Sequence, residues 1–370
     1  MPGLWPGTLH RRDTNCEHFR QHGTPPLEGR RGRDFDGAGI RRPRPPGRSA
    51  TLRSRGHKWR ACRVALVACV ATGRETQVKI RFGVGLGADA APDQLADIID
   101  RLETSGVDSL WFSELVYSAA VDPVVGMAYA LARTTRLKVG TSVTVLPGRH
   151  PVLVAKQLAS LAAFAPKRVL PVFGLRSAIP AEREVFVVPD GERAAVFDES
   201  LRVLRSALED DSASYSGRFF TVSAAAVAPR PMPPLDIWVG GSSPAAFRRI
   251  GKLADGWLGS FLTPTEARKG REAIERAAAE AGRQIEPDHF GISLAVSDGE
   301  LPAELAAAVR RRRPDLDPGE LVAAGWDQLH RQLDAYLDSG LTKFVIRPVG
   351  RAPLDGFIDR FVAELVGRQN

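Results

Sequence analysis

From residue 78 to its end, the 370-residue chain has no cysteine; Cys16, Cys62 and Cys69 all come earlier. That excludes a disulfide frame and a thiolate nucleophile from the larger part of the chain. Histidine is scarce there too. His150, His289 and His330 remain, without the HxH or HxxxH spacing that gathers metal ligands, so no metal is expected. No run reaches the roughly 18–20 apolar residues that cross a bilayer, so no membrane partner is expected and a cytoplasmic location is. A Gly-x-Ser-x-Gly nucleophile elbow is also absent. The net charge of +8 is unevenly held: residues 1–77 carry 16 Lys/Arg against 6 Asp/Glu, whereas the other 293 carry 35 against 37. The field that attracts phosphate backbones belongs to the first segment, and no nucleic-acid partner is expected of the rest.

That first segment holds 17 Gly or Pro in 77 positions, and runs such as Arg41-Arg42-Pro43-Arg44-Pro45-Pro46 show neither helical nor strand periodicity. Such a run cannot bury enough apolar surface to offset chain entropy. It lacks the interleaved aromatics of a nucleic-acid tail. Its one apolar run, 61–71, is too short to span a bilayer and lies too far from the start for an export signal. The segment 1–77 is therefore read as a disordered basic extension produced by an upstream start.

Beyond it, short β-rich runs alternate with amphipathic ones, the pattern of βα units around a parallel sheet. Strands are expected at 79–85, 107–113, 138–146, 168–174, 236–240, 256–260, 289–296 and 343–348. Helices are expected at 92–105, where Leu95, Ile98, Ile99 and Leu102 keep helical spacing, and at 123–133, 151–164 and 192–210. Residues 211–235 interrupt the alternation, and 215–222 read as a small hairpin laid over the barrel mouth. Eight strands close a barrel. The expected class is α/β: a (β/α)8 TIM barrel over 78–370 with one insertion. An open doubly wound sheet is the alternative, but Gly83-Val84-Gly85-Leu86-Gly87 lacks the GxGxxG spacing after strand one.

In such barrels chemistry sits on the loops that follow the strands. Gly240, Gly241, Ser242, Ser243 and Pro244 follow strand five. Two glycines let the backbone approach a ligand, while Ser243 and Pro244 start a helix whose free amides form a phosphate site. An ordinary capped helix has the same pattern. Glu114 ends strand two, where an isolated carboxylate is as readily a cap or surface group. His150 before Pro151 suits a helix cap, whereas the planar fork of Arg149 suits carboxylate or phosphate. Arg176 and Arg347, after strands four and eight, are also placed to meet anions.

Several segments resemble motifs of the luciferase-like monooxygenase family. They are Asp108-Ser109-Leu110-Trp111-Phe112-Ser113-Glu114, Val139 through Pro147, His150 through Lys156, Ser216-Gly217-Arg218-Phe219-Phe220, Ile237-Trp238-Val239-Gly240-Gly241 and Ala254-Asp255-Gly256-Trp257. They occur in the family's order over essentially all of 78–348 and look most similar to the coenzyme F420-dependent branch. The resemblance implies a flavin or deazaflavin across the barrel mouth, with its phosphate on Gly240, Gly241, Ser242 and Ser243. It also implies a cis peptide at Ser142-Val143, within Thr141-Ser142-Val143-Thr144, behind the ring. Arg149, Gly174 and Arg176 complete the expected cofactor set. Phe173-Gly174-Leu175-Arg176 departs from the glycine-rich loop of FMN-type relatives and favours coenzyme F420 over FMN. Glu114 is the implied catalytic residue, although Leu115 stands where the family places histidine. The implied activity is hydride transfer between F420 and a small organic substrate, with a homodimer as the candidate assembly. The alternatives are an FMN-dependent monooxygenase and a non-catalytic flavin-binding protein.

Overall fold

A computed structural model of the chain describes residues 78–88, 90, 92–350 and 354–370. The segment 1–77, read above as an extension, lies outside the described residues. Local sequence sets several helix starts. Asp122 accepts the amides of Val124 and Val125 and so starts helix α2 (Pro123–Arg133). Leu95, Ile98, Ile99 and Leu102 form the buried stripe of α1 (Leu95–Thr104), as their spacing predicts.

The strands are β1 (Arg81–Gly85), β2 (Ser109–Phe112), β3 (Lys138–Thr141), β4 (Thr144–Val145), β5 (Val169–Leu170), β6 (Val172–Gly174), β9 (Trp238–Gly240), β10 (Gly256–Ser260), β11 (Phe290–Ser297) and β13 (Lys343–Val349). The helices between them are α3 (Pro151–Phe164), α4 (Arg193–Glu209), α5 (Pro244–Leu253), α6 (Pro264–Glu280), α7 (Ala303–Arg312), α8 (Trp326–Asp338) and α9 (Leu354–Leu365). Two expected strands are each interrupted. The third breaks into β3 and β4 at Ser142-Val143, and the fourth into β5 and β6 at Pro171. The break follows from chemistry: Pro171 has no amide to donate, and Thr141 Oγ1 takes over by accepting the Val172 amide and donating to the Val172 carbonyl, both at 2.8 Å.

All these strands run parallel, and their pairing closes a ring. β13 lies between β11 and β1, β2 follows β1, and β3 follows β2. β5 and β6 pair with β3 and β4, and β6 continues to β9, β10 and β11. The result is the eight-membered barrel expected from the alternation. β12 (Val322–Ala324) pairs parallel with the upper part of β11, at Ala295, Val296 and Ser297. The predicted hairpin exists as β7 (Ala213–Ser216) and β8 (Thr221–Ala225), antiparallel. Glu199 of α4 accepts the amides of Arg218, Phe219 and Phe220, so its turn is anchored on the helical layer.

The barrel interior is built around two indoles. Trp111 and Trp238 pack with Val172, Leu258 and Val345. A Cβ on Gly83 or Gly140 would collide with the Trp111 ring, and one on Gly256 with the Trp238 ring. Glycines on the adjacent strands therefore make the room that the indoles fill. Below them, at the strand N-termini, Asp108 gathers Lys138 at 2.6 Å, Arg81 at 3.4 Å and Lys343 at 3.5 Å.

Candidate active site

At the strand C-termini the structure brings together Ser142, Val143, Gly174 and Gly240. The Ser142-Val143 peptide is cis, where the resemblance implied it. Val143 extends the interior cluster upward, packed against it. A Cβ on Gly174 would lie 2.6 Å from Val143 Cγ2, and one on Gly240 3.1 Å from Val143 Cγ1. Glycines on the fourth and fifth strands leave the room in which the valine forms a floor. Ser142 Oγ lies 3.5 Å from Ser113 Oγ, which donates to the Leu86 carbonyl, so small hydroxyls line the adjoining wall.

Gly241 follows with φ +132°, a conformation that disfavours any side chain, and leads into α5. Ser243 caps α5 by accepting the Ala246 amide at 3.2 Å. The amides of Ser242, Ser243 and Ala245 have no acceptor among the described residues. Exposed amides at a helix N-terminus, beside two glycine positions, make a cradle that fits the phosphate of a flavin-type cofactor.

Glu114 and Arg149 stand apart from this floor. With Thr141, Thr144, Val154, Leu158 and Met127 they line a cavity between the strands and helices α2 and α3. Glu114 is 4% exposed in its side chain, accepts the Val145 amide at 2.8 Å and pairs with Arg149 at 2.6 Å. Burial pushes its carboxyl above the usual range, and the Arg149 hydrogen bonds only partly oppose this. Arg149 also donates to the Val145 carbonyl and lies 5.0 Å from the Phe186 ring. Both residues are thus occupied in holding β4 to the end of β2. Thr141 is likewise engaged with Val172. Arg176 is exposed on the loop after β6. His150 makes no side-chain cap to α3; its ring meets Phe220 edge-on at 5.7 Å.

Two contributors were not singled out from sequence. Glu182, fully buried, accepts the Tyr117 amide at 3.1 Å and the Ser177 hydroxyl at 2.7 Å. It ties the loop after β2 to the loop after β6. Nothing in the run Pro180-Ala181-Glu182-Arg183-Glu184 marks which glutamate turns inward. Arg312, at the end of α7, stands 4.0 Å over the Phe261 ring beyond β10.

The comparisons agree with this architecture. The family model for luciferase-like monooxygenase matches residues 76–343. An F420-dependent glucose-6-phosphate dehydrogenase of Kineococcus radiotolerans is 26% identical over 324 residues, covering 75% of this chain and 93% of the relative. Among solved structures, the monooxygenase RslO1 from Streptomyces bottropensis aligns with TM-score 0.66 and 20% identity over 78% of this chain and 99% of its own. An F420-dependent secondary alcohol dehydrogenase in complex with an F420-acetone adduct aligns with TM-score 0.64 and 20% identity over 78% and 98%. With a closed parallel barrel and a family match over most of its length, the chain belongs to the luciferase-like monooxygenase family.

Proposed function

We propose that the chain is a coenzyme F420-dependent oxidoreductase that moves a hydride between the deazaflavin and a small organic substrate. One observation carries the reading: the Val143 floor between Gly174 and Gly240 runs directly into the unpaired amides before α5. An extended ring backed by a phosphate anchor matches that layout, and a curated relative aligned over most of both chains is F420-dependent.

When bound, F420 supplies two-electron hydride chemistry and reacts poorly with oxygen. The chain's own residues orient and enclose. Ser242, Ser243 and Ala245 present amides to the phosphate, and Val143 backs the ring. Glu182 holds the two covering loops together and so restricts water. Glu114, sealed against Arg149, acts in this reading as a positioning residue, while Ser113 and Ser142 or water stand nearest for the substrate's proton. Side-by-side titration of the full chain with oxidised F420 and with FMN tests the proposal. F420 is expected to bind more tightly. Tighter FMN binding, with oxygen consumed on reduction, overturns it in favour of a flavin monooxygenase.

A further inference from the structure

We infer that Arg347 and Arg312 form an oxyanion subsite in the barrel mouth, and that it holds a carboxylate or phosphate group of the substrate. The inference rests on the mouth being the active site. Arg347 sits near the end of β13 with its stem laid over Gly85, where a Cβ would collide with its Cγ. Its Nε is sealed from solvent and meets no hydrogen-bond partner. No carboxylate among the described residues pairs with it. Arg312 stands at the exposed rim with one guanidinium face on Phe261, and it too has no ion pair. The next residue shows what a satisfied arginine looks like here: Arg313 reaches Glu266 at 2.7 Å and Asp315 at 2.8 Å.

The two unpaired groups share one side of the mouth. Ala295 is the register partner of Arg347 on β11, and Ala295, Val349 and Phe261 pack in a single cluster. Burial and the like charge of Arg312 both push the Arg347 guanidinium below its usual range. Arginine cannot escape this cost by neutralising itself. An unpaired, partly buried cation whose Nε has no partner is unfavourable until an anion arrives, and the fork geometry selects planar or tetrahedral oxyanions. The placement separates this subsite from the cofactor cradle. Val143, Gly174 and Gly240 belong to the third, fourth and fifth barrel strands, whereas Ala295 and Arg347 belong to the seventh and eighth and Phe261 directly follows the sixth.

Inorganic phosphate is the probe. Titrated into the full chain saturated with F420, it is expected to bind saturably. Arg347→Met should weaken it about 10- to 100-fold, the loss of one or two charge-assisted hydrogen bonds, and Arg312→Met should weaken it less. The melting temperature of Arg347→Met should stay level or rise, which separates lost binding from lost fold. Absence of saturable binding, or equal binding by Arg347→Met, overturns the subsite. If F420 instead displaces phosphate, and Arg347→Met weakens F420 but not the tail-less deazaflavin nucleoside, the subsite serves the cofactor tail and the substrate assignment falls. If FMN proves to be the cofactor, the same titration on FMN-saturated protein still reads the subsite, so its failure is distinct from failure of the cofactor reading.

Discussion

Lys343 and Arg347 lie four residues apart on β13, near opposite ends of the barrel, and they meet opposite surroundings. At the lower end Lys343 shares Asp108 with Lys138 and Arg81, so each of these cations has a carboxylate within reach. At the upper end Arg347 is partly buried, with its Nε sealed from solvent, and it has none among the described residues. The same strand therefore gives one enclosed cation a carboxylate and leaves another without one. Charge satisfied within the protein belongs to stability, and charge left unsatisfied at the strand C-termini belongs to a ligand.

The comparison is most exposed to Asp108→Asn. Removing the single anion among three cations should cost roughly 3–5 kcal/mol in urea unfolding; a loss well under 1 kcal/mol would mean that the lower cluster does not stabilise. Burial raises the Asp108 pKa, but the charges of Lys343 and Lys138 outweigh it and hold the group below its ordinary value. Its contribution is thus present above the ordinary carboxylate pKa and is lost as pH falls through the lower folded value. Wild type should show that acid loss and Asp108→Asn should not.

At the mouth, Gly174→Ala should cost roughly 1–3 kcal/mol by overpacking against Val143. Adding Val143→Ala should restore part of the stability while leaving F420 binding weak. If the double variant is no more stable than the single one, the floor is not what constrains Gly174.

Glu103 sharpens the lower half of the comparison. Burial acts to raise its pKa, but the amides of Thr135, Leu137 and Arg136 prevail and lower it to about 2 from 4.5. Its stabilisation is complete above pH 4.5 and is lost as pH falls toward 2. In Glu103→Gln the acid unfolding curve should flatten across that window, and an unchanged curve would assign the transition to other carboxylates.

Arg347→Met should change unfolding stability by no more than about 1 kcal/mol, in the stabilising direction, because it removes an uncompensated charge. A clear destabilisation would place Arg347 with the lower cluster instead. The smallest effect is expected from deleting residues 1–77, with melting temperature and F420 affinity unchanged; a marked drop in either would give that segment a role in the barrel.

Much was legible before the structure because it is local. Helix boundaries at 123–133 and 151–164 follow from Pro at the first turn and from apolar spacing within ten or so residues, and the order of eight strands gives the barrel. The Ser243-Pro244 helix start, with glycines before it, is likewise a property of six consecutive residues. What tertiary structure decided depends on residues far apart in sequence. The pairing of Glu114 with Arg149, 35 residues on, becomes visible only when the chain folds back onto it through the β4 wall. Glu182 becomes a fastener only because Tyr117, 65 residues earlier, turns its amide inward. The glycines at 83, 140 and 256 look like loose points in strands until two tryptophans from other strands occupy their space. The position of Arg347 after strand eight already placed it to meet an anion. Its distinction is the lack of a counter-charge, and that depends on the whole ring of strands having closed around it.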